Sequence, residues 1–321
     1  MSQSRNADRG PAEIPRRHLS VVADPRKPEA LALADKVRKW LVEREAYAPD
    51  PAAADVQLVI GGDGTVVRAA RALCEVPVLG IDLGQFGFLA HVPPARWEAR
   101  LNQVLKGRYE VRIDATIRVD LERAGRPVAS LWAVQDVVFH AFVVPGNGQQ
   151  MALLELYIDN KYLNPIPGDG LIVATSPGSS AYNLAAGGPV LAPGSQTFAI
   201  TPICAHTPMR ASFSVAESTP ITLVQVGRFP INVCVDGQES FDQFAPNDVA
   251  HIVADPRRFR LVTFKGTSFY GRFRQRFNYR IRPGYRASRL FHEHTNHQDA
   301  DASTASTQRT SPGVEPAGTI G

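Results

Sequence analysis

The stretch LVIGGDGTVVRAARAL, residues 58–73, constrains the fold more than any other part of the sequence. An apolar run ends at two glycines, an aspartate and a third glycine, and a helical pattern follows. Near-continuous apolar runs are typical of strands buried on both faces of a parallel sheet. The stretch therefore predicts a strand, a tight turn and a helix, which is the repeating unit of an open α/β sheet.

The same alternation surrounds this stretch. HLSVVAD (18–24) and VPVLGIDLG (76–84) predict two further strands, and PEALALADKVRKWLVE (28–43) predicts a helix. Beyond residue 108, short stretches of alternating polarity separated by Gly, Pro and Asn predict a mostly antiparallel sheet structure, with a helix at SSAYNLAAG. We expect a Rossmann-like α/β domain over 16–108 and a β-rich domain over 109–256. The polar segments 1–15 and 286–321 are expected to be disordered.

The composition of the 321 residues excludes several classes of protein. No apolar run is long enough to cross a bilayer, so we expect no membrane partner. Three cysteines in apolar stretches, without a CxxC pair, argue against a disulfide framework or a zinc site and favour buried, reduced thiols in a cytoplasmic protein. A basic run, GRFRQRFNYRIRPGYRASR (271–289), is better explained as a solvated surface than as a nucleic-acid site.

The glycine turn at 61–65 has the features of a phosphate site. Open parallel sheets bind ligands beyond the carboxyl ends of their strands, and a helix that begins there offers unpaired N–H groups. Gly61, Gly62 and Gly64 allow a tight turn and a close approach to the backbone. Asp63 has two interpretations: it caps the helix, or it handles a hydroxyl proton or a cation in phosphoryl transfer. No P-loop and no protein-kinase signature set is present.

Five segments, GGDGTVVRAARAL, GIDLGQFGFLA, GDGLIVATSPGSSAYNLAAGGPVLAP, TPICAH and VCVDGQ, resemble the NAD kinase family in order and spacing. GGDGT alone also occurs in lipid kinases, whereas the block 168–193 is far more specific. The resemblance covers residues 18–280. It implies phosphorylation of the adenosine-ribose 2′-hydroxyl of NAD, with ATP and a divalent metal, to give NADP. It also implies a C-terminal segment, 257–285, that completes the first domain, and a homodimer or homotetramer.

The resemblance also implies roles for individual residues. Asp63 would be the general base for the 2′-hydroxyl, and Gln135 with Asp136 would hold the adenosine portion of the dinucleotide. The candidate substrate- and nucleotide-binding residues are Gly61, Gly62, Gly64, Thr65, Gln135, Asp136, Asp169, Ser180, Ala181, Tyr182, Asn183, Leu184, Ala185 and Gln238. No dedicated metal ligands are expected, because Mg²⁺, the favoured metal, would arrive with the phosphate oxygens of ATP.

Three single positions and one short stretch depart from the family pattern; the stretch is ATSPGSS in place of the commoner STPTGST, which shifts the hydroxyls at Thr175 and Ser176. Gln135 and Asp82 each replace an asparagine, and Pro167 lies where many relatives have an arginine that helps to hold the dinucleotide. Two alternatives to an NAD kinase stay open at this point. One is a relative that binds NAD(P) without turnover, and the other is a lipid or small-alcohol kinase of the GGDGT type.

Overall fold

The computed structural model describes residues 17–84, 87–141, 143–144, 148–149, 151–206 and 210–277. The helices are α1 (Pro28–Val42), α2 (Asp63–Ala72), α3 (Trp97–Leu105), α4 (Tyr182–Ala185) and α5 (Phe269–Phe277), with 3₁₀ turns at Pro51–Ala53, Pro94–Arg96 and Gly178–Ser180. None of the helices in this described part is long and apolar enough to cross a membrane. The expected disordered segments 1–15 and 286–321 lie outside the described residues.

The strands form three main sheets and one short pair. They are β1 (Leu19–Ala23), β2 (Val56–Gly61), β3 (Val78–Asp82), β4 (Ala90–Val92), β5 (Glu110–Asp114), β6 (Ile117–Arg123), β7 (Arg126–Ala133), β8 (Asp136–His140), β9 (Val143–Val144), β10 (Gly148–Gln149), β11 (Ala152–Ile158), β12 (Lys161–Gly168), β13 (Gly170–Ala174), β14 (Thr197–Ile203), β15 (Phe213–Ala216), β16 (Ile221–Gln225), β17 (Ile231–Val235), β18 (Gln238–Phe244), β19 (Val249–Ala254) and β20 (Phe259–Thr263).

The first sheet has the order β1-β2-β3-β20-β5, with β4 beside β3. Every pairing is parallel except that of β5 with β20. Strand β5 comes from the segment expected to form the second domain, and β20 comes from the segment expected to return to the first. All six residues of β2 are buried, as its apolar run predicts. The predicted strand–helix alternation of the first domain is confirmed.

Helices cover both faces of this sheet. On one face, α1 and α3 share a core with the sheet, and the Trp40 and Trp97 rings meet edge to face with centroids 5.5 Å apart. On the other face, α2 buries Val66 and Val67 against β3 and β20. Because the first half of the chain alternates strand and helix, each apolar helix face finds the sheet beside it.

The remaining strands form two antiparallel sheets, ordered β12-β11-β16-β19-β6-β7 and β15-β14-β13-β8-β17-β18. Their inner faces share one core, which includes Val119 and Leu121 from one sheet and Phe139 and Val173 from the other. This sandwich confirms the predicted β-rich part of the chain. The expectation of buried thiols is wrong for Cys204, which is exposed just beyond the end of β14 in left-handed backbone (φ 46°); Cys74 and Cys234 are partly buried.

Candidate active site

Three aspartates lie at the carboxyl edge of the first sheet. Asp24 follows β1, Asp63 follows β2 after one intervening residue, and Asp82 ends β3. Parallel strands bring their carboxyl ends to the same edge, so three separate segments each place an acid at this edge of the sheet. Only Asp63 was singled out as catalytic from the sequence, although Asp24 and Asp82 occur at equivalent ends of predicted strands.

The Asp63 carboxylate binds the turn that precedes β4. Its Oδ2 accepts the N–H of Phe88 at 2.8 Å, and its Oδ1 accepts those of Leu89 and Ala90 at 2.9 Å each. Asp63 is itself the first residue of α2, and Gly62 at the N-cap makes no side-chain cap. The helix-cap interpretation is therefore wrong. A carboxylate offers about four acceptor positions, so one position on Oδ2 stays available to a substrate hydroxyl.

The glycines around Asp63 have two different roles. A Cβ on Gly61 would lie 2.7 Å from Thr65 Oγ1, and a Cβ on Gly87 would collide with Asp63 Oδ1 and the Ala90 carbonyl. These two glycines allow the turns to pack together. A Cβ on Gly62 would meet nothing within 4 Å, and one on Gly64 would meet only the end of the Arg68 side chain at 3.8 Å. Backbone at 62–64 is thus open to a ligand.

Asp24 forms a hydrogen bond to the glycine turn through Thr65. It is 2% exposed, and its side chain accepts hydrogen bonds from Arg26 at 3.0 Å and from the Thr65 hydroxyl at 3.2 Å. The bonds from Arg26 hold the pKa of Asp24 well below its usual value, against the effect of burial. Thr65 itself is buried. The hydroxyl of this predicted nucleotide-binding residue is thus already engaged with Asp24.

A cavity of about 390 Å³ opens between β8, β17 and the segment before α4. Its lining residues are Gln135, Asp136, Val138, His140, Ala181, Tyr182, Cys234, Asp236 and Gly237. The structure therefore brings four of the predicted binding residues together from two distant segments. Neither Asp63 nor the glycine turn is among the described lining residues of this cavity.

Asp136 is the buried acid of this cavity. It is 4% exposed, and no hydrogen bond of the described residues reaches its carboxyl group. Burial and, to a lesser extent, the nearby charge of Asp236 together raise the pKa of Asp136 to about 7. An unpaired carboxyl group that faces a cavity of this size is suited to bind ligand hydroxyls.

Asp236 occupies the tight turn of the β17–β18 hairpin. Asp236 and Gly237 both have positive φ (51° and 73°), as a two-residue hairpin loop requires. The Asp236 carboxylate accepts the N–H groups of Val134 and Gln135 at 3.0 and 2.6 Å. Its Oδ2 also lies 3.6 Å from Arg71 Nε on α2. Asp236 thereby joins the helix that begins at Asp63 to the strand that begins at Asp136.

The glycine-rich block is held by internal hydrogen bonds. The fully buried Asn183 donates to the carbonyls of Ser179 and Pro189, and it accepts from the Thr201 hydroxyl at 2.7 Å. The Ser180 hydroxyl is buried and donates to the Pro177 carbonyl at 3.4 Å. These two predicted ligand contacts therefore have partners within the protein, and the half-buried Leu184 and exposed Ala185 complete the short helix α4.

Tyr182 lies among the polar groups near the cavity. Burial raises the pKa of its phenol, and the charges of Cys204, Asp169 and Asp136 act in the same direction. A hydrogen bond to the Asp169 side chain raises the pKa of the Cys204 thiol. The Asp169 carbonyl accepts the N–H of Ala141, the residue after the cavity-lining His140, at 2.9 Å, so Asp169 lies beside that end of β8 without being among the described lining residues. The predicted contact Gln238 is exposed at the start of β18.

Two domain models of one known protein family match most of the chain. Residues 44–109 match the model of the ATP-NAD kinase N-terminal domain, and residues 140–264 match that of the ATP-NAD kinase C-terminal domain. An NAD kinase of Thermomicrobium roseum is 40% identical over 280 residues, which cover 85% of this chain and 95% of that protein. An NAD kinase of Azotobacter vinelandii is 36% identical over 253 residues, or 77% and 81% of the two chains. The chain belongs to the NAD kinase family.

Solved structures of NAD kinase relatives have the same fold. An Archaeoglobus fulgidus NAD kinase in complex with ATP has a TM-score of 0.60 at 26% identity, over 81% of this chain and 97% of that one. A yeast NADH kinase complexed with NADH has a TM-score of 0.74 at 18% identity, over 85% and 90%. The predicted family and fold are confirmed. The alternative of a lipid or small-alcohol kinase is wrong, because the chain belongs to the NAD kinase family.

The NAD kinase site contains features that the sequence prediction missed. These are the 88–90 turn as partner of Asp63, Asp24 beneath the turn, and Asp236 beside Asp136. Only Asp24 had a usable signal, because it ends a predicted strand. Among the described residues, no group of three or more His, Cys, Asp or Glu side chains could hold a metal ion.

Proposed function

We propose that this chain transfers the terminal phosphoryl group of ATP to the adenosine-ribose 2′-hydroxyl of NAD, with Asp63 as the general base. The conversion of NAD to NADP follows from membership of the NAD kinase family. The observation that supports the choice of base is the arrangement of the Asp63 carboxylate. Three backbone N–H groups fix its orientation, and one acceptor position on Oδ2 is left for the hydroxyl proton.

In this mechanism the protein contributes mainly position and electrostatics. The ribose hydroxyl donates a hydrogen bond to Asp63 Oδ2 and gives its proton to that oxygen as its bond to the terminal phosphorus forms. The bond from that phosphorus to the β,γ-bridging oxygen breaks at the same time, and ADP leaves. The open backbone at Gly62 and Gly64, at the start of α2, offers N–H groups and a partial positive charge to the phosphate chain of ATP. A divalent metal such as Mg²⁺ would be held mainly by the phosphate oxygens of ATP and would neutralise their charge, since the described residues include no group of three or more acidic, His or Cys side chains that could hold it.

The cavity lined by Asp136 would bind the dinucleotide. Its unpaired carboxyl group suits a sugar hydroxyl, and Tyr182, 48% exposed, offers a ring for stacking. Gln135 lines the same cavity in place of the family's usual asparagine. The cytoplasmic location and the homodimeric or homotetrameric state expected from the resemblance stay predictions, which cell fractionation and light scattering would test.

A pair of matched variants tests the base. We expect Asp63→Asn to lower kcat by about 10²–10⁴-fold, since general-base catalysis is typically worth that much. Asp82→Asn is the control, because the Asp82 carboxylate accepts the N–H groups of Gly84 and Gly87 in the same turn without being the proposed base. Purified variants are assayed for NADP formation from NAD and MgATP, and their NAD binding is measured by calorimetry.

The two variants separate the possible outcomes. If Asp63→Asn loses no more activity than Asp82→Asn, the carboxylate at 63 is a structural support and the proposed base is wrong. If the wild-type chain binds NAD and forms no NADP with any divalent metal tested, the chain is the non-catalytic NAD(P)-binding relative instead.

A further inference from the structure

A second cavity, of about 460 Å³, lies beyond the carboxyl end of β20. We call it the Arg100 cavity, and its lining residues are Arg100, Gln103, Gly107, Arg108, Tyr109, Glu110, Phe264 and Lys265. Because β20 runs parallel to β3, the cavity opens at the same edge of the first sheet as Asp63. Its volume is in the range of small-molecule sites, and open α/β sheets bind ligands at this edge. None of the residues assigned above to the active site lines it.

The lining of the Arg100 cavity is strongly cationic. Arg100, Arg108 and Lys265 face a single carboxylate, that of Glu110. The Arg100 guanidinium lies over the Phe264 ring, 4.5 Å from its centroid, and Nη1 donates to Gln103 Oε1 at 2.8 Å. Within the described part of the chain, none of the three cations forms a salt bridge. Such an excess of unpaired charge in a concave site attracts anions.

On the side of the Phe264 ring that faces away from the cavity, the neighbouring side chains also carry positive charge. The His91 ring lies 6.2 Å from that of Phe264, and its pKa is lowered to about 4 by burial and by the charges of Arg272, Arg112 and Arg100. Arg112 is paired with an aspartate, but Nε and Nη1 of Arg272 are buried without a hydrogen-bond partner. The Asp114 carboxylate compensates Arg112, and the Asp63 carboxylate acts on Arg272 from a distance, so this group of side chains keeps part of its positive charge.

We infer that the Arg100 cavity is a second anion site, separate from the active site, which binds the phosphate chain of a small polyphosphorylated compound. Guanidinium groups match phosphate oxygens in pairs, and an ammonium group such as that of Lys265 adds a point charge. Phe264 and Tyr109 provide apolar surface for any attached ring. Two classes of compound carry such a phosphate chain, nucleotides and inorganic polyphosphates, and the experiment distinguishes them.

Calorimetry on the full-length chain tests this inference, with inorganic triphosphate in one arm and ADP in the other. We expect a wild-type site for triphosphate that is weakened about tenfold or more in the triple variant Arg100→Gln, Arg108→Gln, Lys265→Gln. The matched control Glu110→Gln removes the one carboxylate and should bind more tightly. Because exposed charges are screened, added KCl should weaken the wild-type site.

NADP formation by the triple variant serves as the folding control and should equal that of wild type, since the three residues lie outside the proposed active site. Because the proposed active site also binds a phosphate chain, the readout is the binding that wild type shows and the triple variant lacks. A difference for both probes assigns the phosphate chain alone, one for ADP alone assigns a nucleotide, and one for triphosphate alone assigns an inorganic polyphosphate. Equal numbers of binding sites and equal affinities for both probes in wild type and the triple variant overturn the inference, as does a wild-type chain that binds neither probe. These results do not depend on whether Asp63 is the base.

Discussion

Replacement of Asp136 by asparagine should change the pH dependence of stability. The Asp136 carboxyl group has its pKa raised from 3.8 to about 7 by burial and by the charge of Asp236. The native chain therefore keeps a proton at pH values where the unfolded chain has lost it. Stability conferred by this protonated group is present at low pH and is lost as the pH rises towards 7.

The expected magnitude follows from the size of the shift. Each pKa unit corresponds to about 1.4 kcal/mol, so a shift of about three units costs about 4 kcal/mol when the group is fully ionised. Between pH 5 and pH 8, this group should lower the free energy of unfolding of the wild-type chain by about 3 kcal/mol. Asparagine has nearly the same shape and does not ionise. The free energy of unfolding of Asp136→Asn should therefore not show this decrease between pH 5 and pH 8.

Urea unfolding of the ligand-free proteins at pH 5 and pH 8 measures the difference. The wild-type free energy of unfolding should fall by about 3 kcal/mol more than that of Asp136→Asn. Asp242→Asn, at an exposed position on β18, controls for the loss of one acid and should follow the wild type. Parallel pH dependences for wild type and Asp136→Asn would show that Asp136 ionises normally and would refute the argument.

Two further substitutions probe the supports of the site by thermal unfolding and by kcat. Gly87→Ala should cost about 1–3 kcal/mol and lower kcat, because its Cβ would collide with the Asp63 carboxylate, whereas Gly62→Ala, whose Cβ meets nothing within 4 Å, should fold like wild type. Equal stability of these two variants would contradict the packing. Thr201→Val should cost about 1–3 kcal/mol, because the buried Asn183 oxygen loses its donor. An unchanged free energy of unfolding would mean that Asn183 finds another partner.

The chain itself determined the local geometry at Asp63. A buried apolar run, two glycines and a helical repeat place that acid at the carboxyl end of β2, whatever the rest of the fold does. Period-two patterns and turn residues likewise predicted the antiparallel part. These features could be read from the sequence because each depends on neighbours within about ten residues, where backbone sterics and burial periodicity act directly.

Tertiary structure decided what each functional group contacts. Asp63 meets N–H groups 25 to 27 residues away, and Asp236 meets those of residues about 100 positions earlier. Strand β20 enters the first sheet from the far end of the β-rich segment. The raised pKa of Asp136 and the charge of the Arg100 cavity both arise from such distant neighbours. Burial and electrostatics depend on distance in space, which a pattern of adjacent residues does not encode.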